Sequence, residues 1–540
     1  MRFSLFVKRL SLLLKRGRKS VCSEMMKGVS CLSVLASFAL ASVALGLSTV
    51  PLPRVDPGAK ACQLLKEAFP QLVAFPGSEQ YEADIEHWDS TSTQDASCSV
   101  EPETADDVSR ILKVVGRSDI MSPFAVKGGG HAFNVGHSST SGVQISMAKF
   151  SDVEIDAEKG TVTIGTGLTW DQVYSQLEPL GVMVVGGRVI GVGVAGLSLG
   201  GGYSWKTDQF GLTIDTIVSH NVVLPSGQQV HASNATNPDL FFGLRGGLNN
   251  FGIVTNITFE AHPQTLVFGG LITYALNVTD GVNEAISNFE ANNADPNAQI
   301  LVEFTSTAGQ FTSGVIIFYD RPTPPPGLFD AFLSIPPLTS DVKTRTFVYF
   351  INTSGNITLA PNFGYCTITN TSSDVHHVVP LLSHPVALLR TIVQEIISTE
   401  AELTKANNGK TVSVNMVPEP FLNPFAHSRG GAYPHEAARP VKPGSPDITW
   451  EVDASVSEEA QQAFHALIIH TMHTFAHTIQ SAAVELGISS FTDILYPNYA
   501  LGDTPLALMY GGAENVGKLR EIAGRFDPHG VMKLSGGPKF

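Results

Sequence analysis

Two glycine-rich stretches hold the residue types best suited to chemistry. The first, Val126-Lys-Gly-Gly-Gly-His131-Ala-Phe-Asn134, sets an imidazole directly after three glycines. The second runs from Gly186 to Tyr203 as Gly-Gly-Arg-Val-Ile-Gly-Val-Gly-Val-Ala-Gly-Leu-Ser-Leu-Gly-Gly-Gly-Tyr. Such runs suit places where backbone N–H groups must approach a pyrophosphate, because a Cβ would hold the phosphate away and many of the required φ values are positive. Residues Gly191 to Gly196 also spell G-x-G-x-x-G, the dinucleotide-binding fingerprint, which should open a helix whose N-terminus holds phosphates. Here the pattern runs on into Leu197-Ser-Leu-Gly-Gly-Gly202. Each interior glycine costs about 1 kcal/mol relative to alanine, so no helix is expected there and the Rossmann reading is set aside.

Other side chains could move protons or bind metals. In Ile448-Thr-Trp-Glu-Val-Asp453, period-two alternation places Thr449, Glu451 and Asp453 on one face and Ile448, Trp450 and Val452 on the other. If the apolar face packs on helices, Glu451 and Asp453 look toward a reaction site. The alternative is a half-solvated antiparallel strand. His470, His473 and His477 share one helical face, but without a metalloprotease glutamate or a carboxylate cluster they read as a polar face, and no metal is assigned.

The two glycine loops resemble the flavin-cradling loops of the berberine bridge enzyme-like branch of the vanillyl-alcohol-oxidase (PCMH-type) flavoproteins. Further segments are similar in the same order: Thr213-Ile-Asp-Thr-Ile217, Asn237-Pro-Asp-Leu to Ile253-Val-Thr255, Tyr496-Pro-Asn-Tyr499, Tyr510-Gly-Gly512 and Phe526-Asp-Pro-His-Gly-Val-Met532. The match spans residues 60 to 262 and 490 to 540. It departs at Pro225-Ser-Gly227, where the family usually has an Asp-Gly turn, and at Phe242, where it has Trp.

The resemblance implies an FAD-linked oxidoreductase. It assigns the cofactor to Gly128, Gly129, Gly130 and Ala132 around His131, to Val192, Gly193, Gly196, Gly200, Gly201 and Gly202, to Gly252 and Ile253 near the adenine, and to Asn498 beside the ring. His131 stands where the family attaches an imidazole to the 8α-methyl of FAD. Val189 occupies the place of a second, cysteine tether, so a single covalent attachment is expected. Val192 matches a gate on the oxygen-access face, although a loop valine merely filling space is an equal reading. Tyr496 and Tyr499 are the first candidates for the base, with Glu451 and Asp453 second. His137 has no such support and reads as a loop histidine.

Elements that could position these residues are legible. A helix is predicted over Thr104 to Val115, short strands near 124–126, 142–146, 153–155 and 161–164, and a second helix behind Thr169-Trp-Asp-Gln172, a capping box. Beyond His262, longer strands such as 301–305 and 315–319 precede two long helices near 375–405 and 457–486. The expected fold class is α+β: a PCMH-type two-subdomain FAD-binding domain (60–262), a substrate domain with an antiparallel sheet backed by helices (263–489), and a C-terminal segment (490–540) returning to the FAD domain.

Composition bounds the rest. The 540 residues are 43% hydrophobic and 15% charged, as befits a large-cored globular protein, and the net charge of −15 argues against nucleic acid or an anionic membrane as partner. Residues 1–46 read as a basic extension with a signal peptide or signal anchor, or as an extension preceding a start at Met25 or Met26. Six sequons, at Asn234, Asn256, Asn277, Asn352, Asn356 and Asn370, suggest one exposed glycosylated flank. Of the five cysteines, Cys22 and Cys31 fall in or before the leader. Cys62 and Cys98 bracket the region where the family commonly has a disulfide, two separate buried thiols being the alternative, and Cys366 is left odd and buried.

The resulting expectation is a secreted oxidase. A small alcohol- or amine-type substrate would reduce covalent FAD, and O2 would reoxidise it to give H2O2, with no obligate protein partner. Alternatives are a carbohydrate oxidase, a dehydrogenase with another acceptor, and a flavin scaffold without turnover.

Overall fold

The computed structural model describes residues 56–89, 92–354, 372–451 and 455–540. The leader with Cys22 and Cys31, Cys366, and the sequons at Asn356 and Asn370 lie outside these residues. Of the other sequons, Asn234, Asn277 and Asn352 are exposed, whereas Asn256 is half-buried on a strand and accepts an N–H from Asn221 (2.8 Å).

The first helix after Thr104 forms as its composition dictates. Thr104 and Asp107 make a reciprocal capping box, and Val108, Ile111, Leu112 and Val115 of Ala105–Val115 are buried. It lies against a four-stranded sheet of β1 (Val73–Ala74), β2 (Cys98–Val100), β3 (Phe124–Lys127) and β4 (Val143–Ser146), ordered β1-β2-β4-β3, with β4 parallel to both β2 and β3. A disulfide joins Cys62, on helix Pro57–Ala68, to Cys98 of β2.

A second sheet, ordered β5-β6-β10-β8-β9, is built from β5 (Val153–Asp156), β6 (Thr161–Gly165), β8 (Ile217–Val223), β9 (Gln229–Ser233) and β10 (Ile253–Glu260), while β7 (Val182–Met183) pairs with β11 (His262–Pro263). Every pairing in this sheet is antiparallel, which excludes a Rossmann unit. Helix Trp170–Leu177 crosses between β6 and β7 behind the Thr169–Gln172 capping box. The glycine stretch departs from expectation, because Val194–Gly200 is a seven-residue helix. Burial of Val194, Ser198 and Leu199 outweighs the local cost of its glycines.

The third sheet has nine strands: β12 (Val267–Ala275), β13 (Ala298–Thr307), β14 (Gln310–Tyr319), β15 (Thr339–Ser340), β16 (Lys343–Arg345), β17 (Ser372–His376), β18 (Val379–Leu381), β19 (Val412–Pro418) and β20 (Lys442–Glu451). Helices Thr279–Asn292, Val386–Ala406 and Glu458–Glu485 cover one face, against Val302, Phe304, Val414, Met416, Ile448 and Trp450. The helix expected from 375 starts only after Pro385; the residues before it belong to β17 and β18. The other face of β13, β19 and β20, one residue out of phase, looks into a cavity.

The chain then returns to the first sheet. Ser535 bridges to Phe124, Asn250 Nδ2 donates to the Pro538 carbonyl (2.9 Å), and Asn250 Oδ1 accepts from the Phe540 amide (3.2 Å). Among the described residues no helix is long and apolar enough to cross a membrane.

Candidate active site

A cavity of about 450 Å³ runs between the glycine loops and the nine-stranded sheet. Its floor is largely backbone. Gly128, Gly129 and Gly130 leave β3, and Gly129 lies against Gly193, whose position is fixed where Trp170 N–H donates to the Val192 carbonyl and Val194 N–H to that of Leu168, both at 2.9 Å. A Cβ on Gly129 would stand 2.6 Å from Gly193 Cα, and one on Gly193 would stand 2.5 Å from Gly129 N. Neither neighbour can give, because both are backbone. Gly196 differs: a Cβ there would meet no protein atom and would project from a residue of the cavity wall. A cradle that only bare backbone can form, in a cavity of ligand-binding size, fits a cofactor carrying a diphosphate.

His131, Ala132, Val192, Gly252, Ile253 and Asn498 share this wall with Gly128, Gly129, Gly130, Gly193 and Gly196. Gly200, Gly201 and Gly202 lie just behind it and make room for Asn498, Tyr496 and Thr213 respectively. A Cβ on Gly200 would overlap Asn498 Oδ1 at 2.0 Å, and one on Gly201 would sit 2.9 Å from the Tyr496 ring. The His131 ring packs on Trp88 (centroids 4.7 Å apart), whose amide donates to the Gly130 carbonyl (2.9 Å). Trp88 thus lies over that imidazole at an interplanar angle of 39°. Val189 and Val192 both line the cavity. His137 also lines it, despite its reading as an ordinary loop histidine, and burial followed by the charge of Lys539 pushes it down to about 4.

At the far end, the Tyr-Pro-Asn-Tyr turn brings two phenols to the wall. Tyr496 Oη accepts N–H groups from Gly202 and from Asn498 Nδ2, each at 2.9 Å. Burial nevertheless raises it to about 12, those two donors working the other way. Tyr499 Oη donates to Glu419 Oε1 (3.0 Å) and accepts from Arg188 Nη2 (2.9 Å). Arg188 also grips both carboxylate oxygens of Glu419 at 2.8 Å. Burial and the Glu419 charge hold Tyr499 well above the usual phenol range, so its proton stays shared with that carboxylate.

The strand read as a source of carboxylates has the expected parity, with Asp447, Thr449 and Glu451 on the less buried face of β20. The residue that reaches the cavity is Asp447. Glu451 stands about 13 Å farther along the strand, exposed and paired with Lys410 (3.3 Å), and shares no wall with Tyr496 or Tyr499. Asp453 lies outside the described residues. Sequence reading also passed over Trp88, Arg188, Glu303, His376, Glu419 and Asp447. Only Arg188 had a local signal, inside the second glycine stretch. His470, His473 and His477 lie on helix Glu458–Glu485, where His473 meets Asp503 (3.1 Å) and His477 stacks on Phe491; among the described residues no group of His, Cys, Asp and Glu is placed to hold a metal.

Residues 96–233 match a family model described as an FAD binding domain. The FAD-dependent monooxygenase drtC of Aspergillus calidoustus is 29% identical over 499 residues, covering 89% of this chain and 91% of that protein. Two solved structures align at TM-score 0.67 and 18% identity, each covering 87% of this chain and 97% of the other: Physcomitrella patens BBE-like 1, and the glucooligosaccharide oxidase of Acremonium strictum with its 6-S-cysteinyl, 8α-N1-histidyl FAD. Fold and site together define an FAD-linked oxidoreductase. Its fold is similar to that of the berberine bridge enzyme-like, PCMH-type flavoproteins.

Proposed function

We propose that this protein is an oxidase of the secretory pathway that holds FAD through His131 alone and oxidises a small alcohol- or amine-type substrate. When bound, FAD supplies the acceptor for a hydride from the substrate carbon and returns the two electrons to O2, which leaves as H2O2. The glycine backbones of 128–130 and 193 hold the diphosphate, and Trp88 keeps the His131 ring aligned for its bond. Valine at 189 cannot form a thioether, which supports a single tether.

The observation that carries the reading is the Tyr499–Glu419–Arg188 triangle in the wall of the glycine-floored cavity. As the substrate C–H bond breaks, the proton on its oxygen or nitrogen must go to a base. Tyr499 Oη takes that proton while passing its own to Glu419 Oε1, and Arg188 holds the pair in register. No ionised phenol is needed beforehand, which matters for a tyrosine raised so far. Tyr496, pinned by two N–H donors, supports the turn and keeps its hydroxyl in the wall.

An anaerobic screen of alcohols, sugars and amines against flavin absorbance tests the class: bleaching by a member of one class supports the reading, and absence of any bleaching points to a scaffold without turnover. Wild-type protein precipitated with acid should remain yellow, with the flavin on a peptide containing His131, whereas free FAD in the supernatant would remove the tether. The monooxygenase name of the A. calidoustus relative gives a second reading, in which one oxygen atom enters the product. Turnover under ¹⁸O₂ separates the two, since an oxidase leaves the label in peroxide.

A further inference from the structure

The sheet face above the cavity carries two carboxyl groups, Glu303 and Asp447, close enough for the charge of one to act on the other. Strand register sets Thr305, Asn415, Asp447 and His376 side by side across β13, β19, β20 and β17, and Asp447 accepts from Asn415 Nδ2 (2.6 Å). Glu303 precedes Thr305 by two residues on the same face of β13 and lines the cavity. Its Oε2 is buried and has no hydrogen-bond partner. Among the described residues no lysine or arginine stands within ion-pair distance of it, and the guanidinium in the cavity wall, Arg188, is committed to Glu419. Burial and then the charge of Asp447 push Glu303 up to about 8, a hydrogen bond from Thr305 working the other way and leaving Oε2 as the oxygen without a donor. A buried acceptor without a donor costs on the order of 1–3 kcal/mol, more when charged, and one that faces a ligand-sized cavity can be satisfied by what binds there.

We propose that Glu303, backed by Asp447, is the subsite for a protonated amine of the substrate. The claim rests on the oxidase reading above and narrows its substrate class to cationic molecules. The amine is an anchor and not the oxidised centre: continuing the β13–β19 register places Val417 opposite Glu303, and Glu419 follows two residues later, about 7 Å along the strand. The carbon presented to Tyr499 therefore belongs to another part of the same molecule. An ammonium N–H donating to Glu303 Oε2 supplies a donor for that oxygen and favours the ionised carboxylate that burial disfavours. A neutral sugar or alcohol supplies at most the first.

The test compares phenethylamine with 2-phenylethanol, which match in size and differ in charge, by calorimetric titration of the protein as isolated at pH 7. Phenethylamine should bind at least tenfold more tightly. Glu303→Gln should bring the two within threefold, and Asp447→Asn should narrow the gap in part. Equal binding by wild-type protein, or a preference that survives in Glu303→Gln, overturns the proposal. Should Glu303→Gln fail to fold, the wild-type comparison and Asp447→Asn still decide. Flavin colour and anaerobic bleaching are read separately, so a failed oxidase reading is distinguishable from a failed amine subsite.

Discussion

Tyr499 stays protonated, so in the proposed mechanism its use as a base depends on the carboxylate it already touches. Tyr499→Phe removes the proton path and leaves the cavity shape, and should slow anaerobic flavin reduction about 100-fold with little change in KM. Glu419→Gln should do the same, and the double variant should be little worse than either single one, because the two act as a unit; stopped-flow absorbance checks all three. Additive losses would mean independent roles. Val192 lies in the same wall with its carbonyl held by Trp170. Val192→Leu adds one methylene there and should slow reoxidation in air about tenfold, roughly 1.4 kcal/mol of barrier, while sparing reduction. Equal slowing of both half-reactions would make it ordinary packing. At this scale the sequence exposed His131, Val192 and the two tyrosines through local motifs. Glu419, Glu303 and Asp447 have none, because what brings them together is register between strands far apart in the chain.

Among the elements, the junction of the loop after β3 with the helix at 194–200 decides whether a cofactor can be held. Gly129→Ala presses a methyl into the Gly193 backbone, so it should cost about 1–3 kcal/mol and abolish flavin loading. Gly196→Ala should behave differently. It adds helix propensity, up to about 1 kcal/mol, and meets no protein atom, so flavin-free protein should melt at the same or higher temperature while its flavin content falls. Unchanged loading would show that Gly196 does not face the cofactor. Glycine richness argued against a helix at this point, and tertiary burial of Val194 and Leu199 overrode it. The stretch from 375 misled for the opposite reason: its apolar residues suit a helix or a strand, and the useful signals were Pro380 and Pro385, the latter capping the helix that follows.

For the molecule as a whole, the Cys62–Cys98 bond staples the first helix to the sheet from which the His131 loop departs. Replacing both cysteines by serine should lower unfolding free energy by about 3–4 kcal/mol in chemical denaturation and leave flavin reduction by substrate unchanged. A large loss of turnover in the folded variant would mean that the bond also positions the loop. The pairing was legible through family resemblance, whereas the return of the chain to the first sheet was legible only as similar motifs near the end.

That return has a consequence for biosynthesis. Gly128 and Pro538 line one cavity although most of the described chain lies between them. During synthesis the glycine loop emerges long before the residues that complete its surroundings, so a nascent chain offers no finished pocket. Covalent capture of a flavin would then serve as a record that folding had reached completion, and the yellow fraction of a preparation would count correctly assembled molecules.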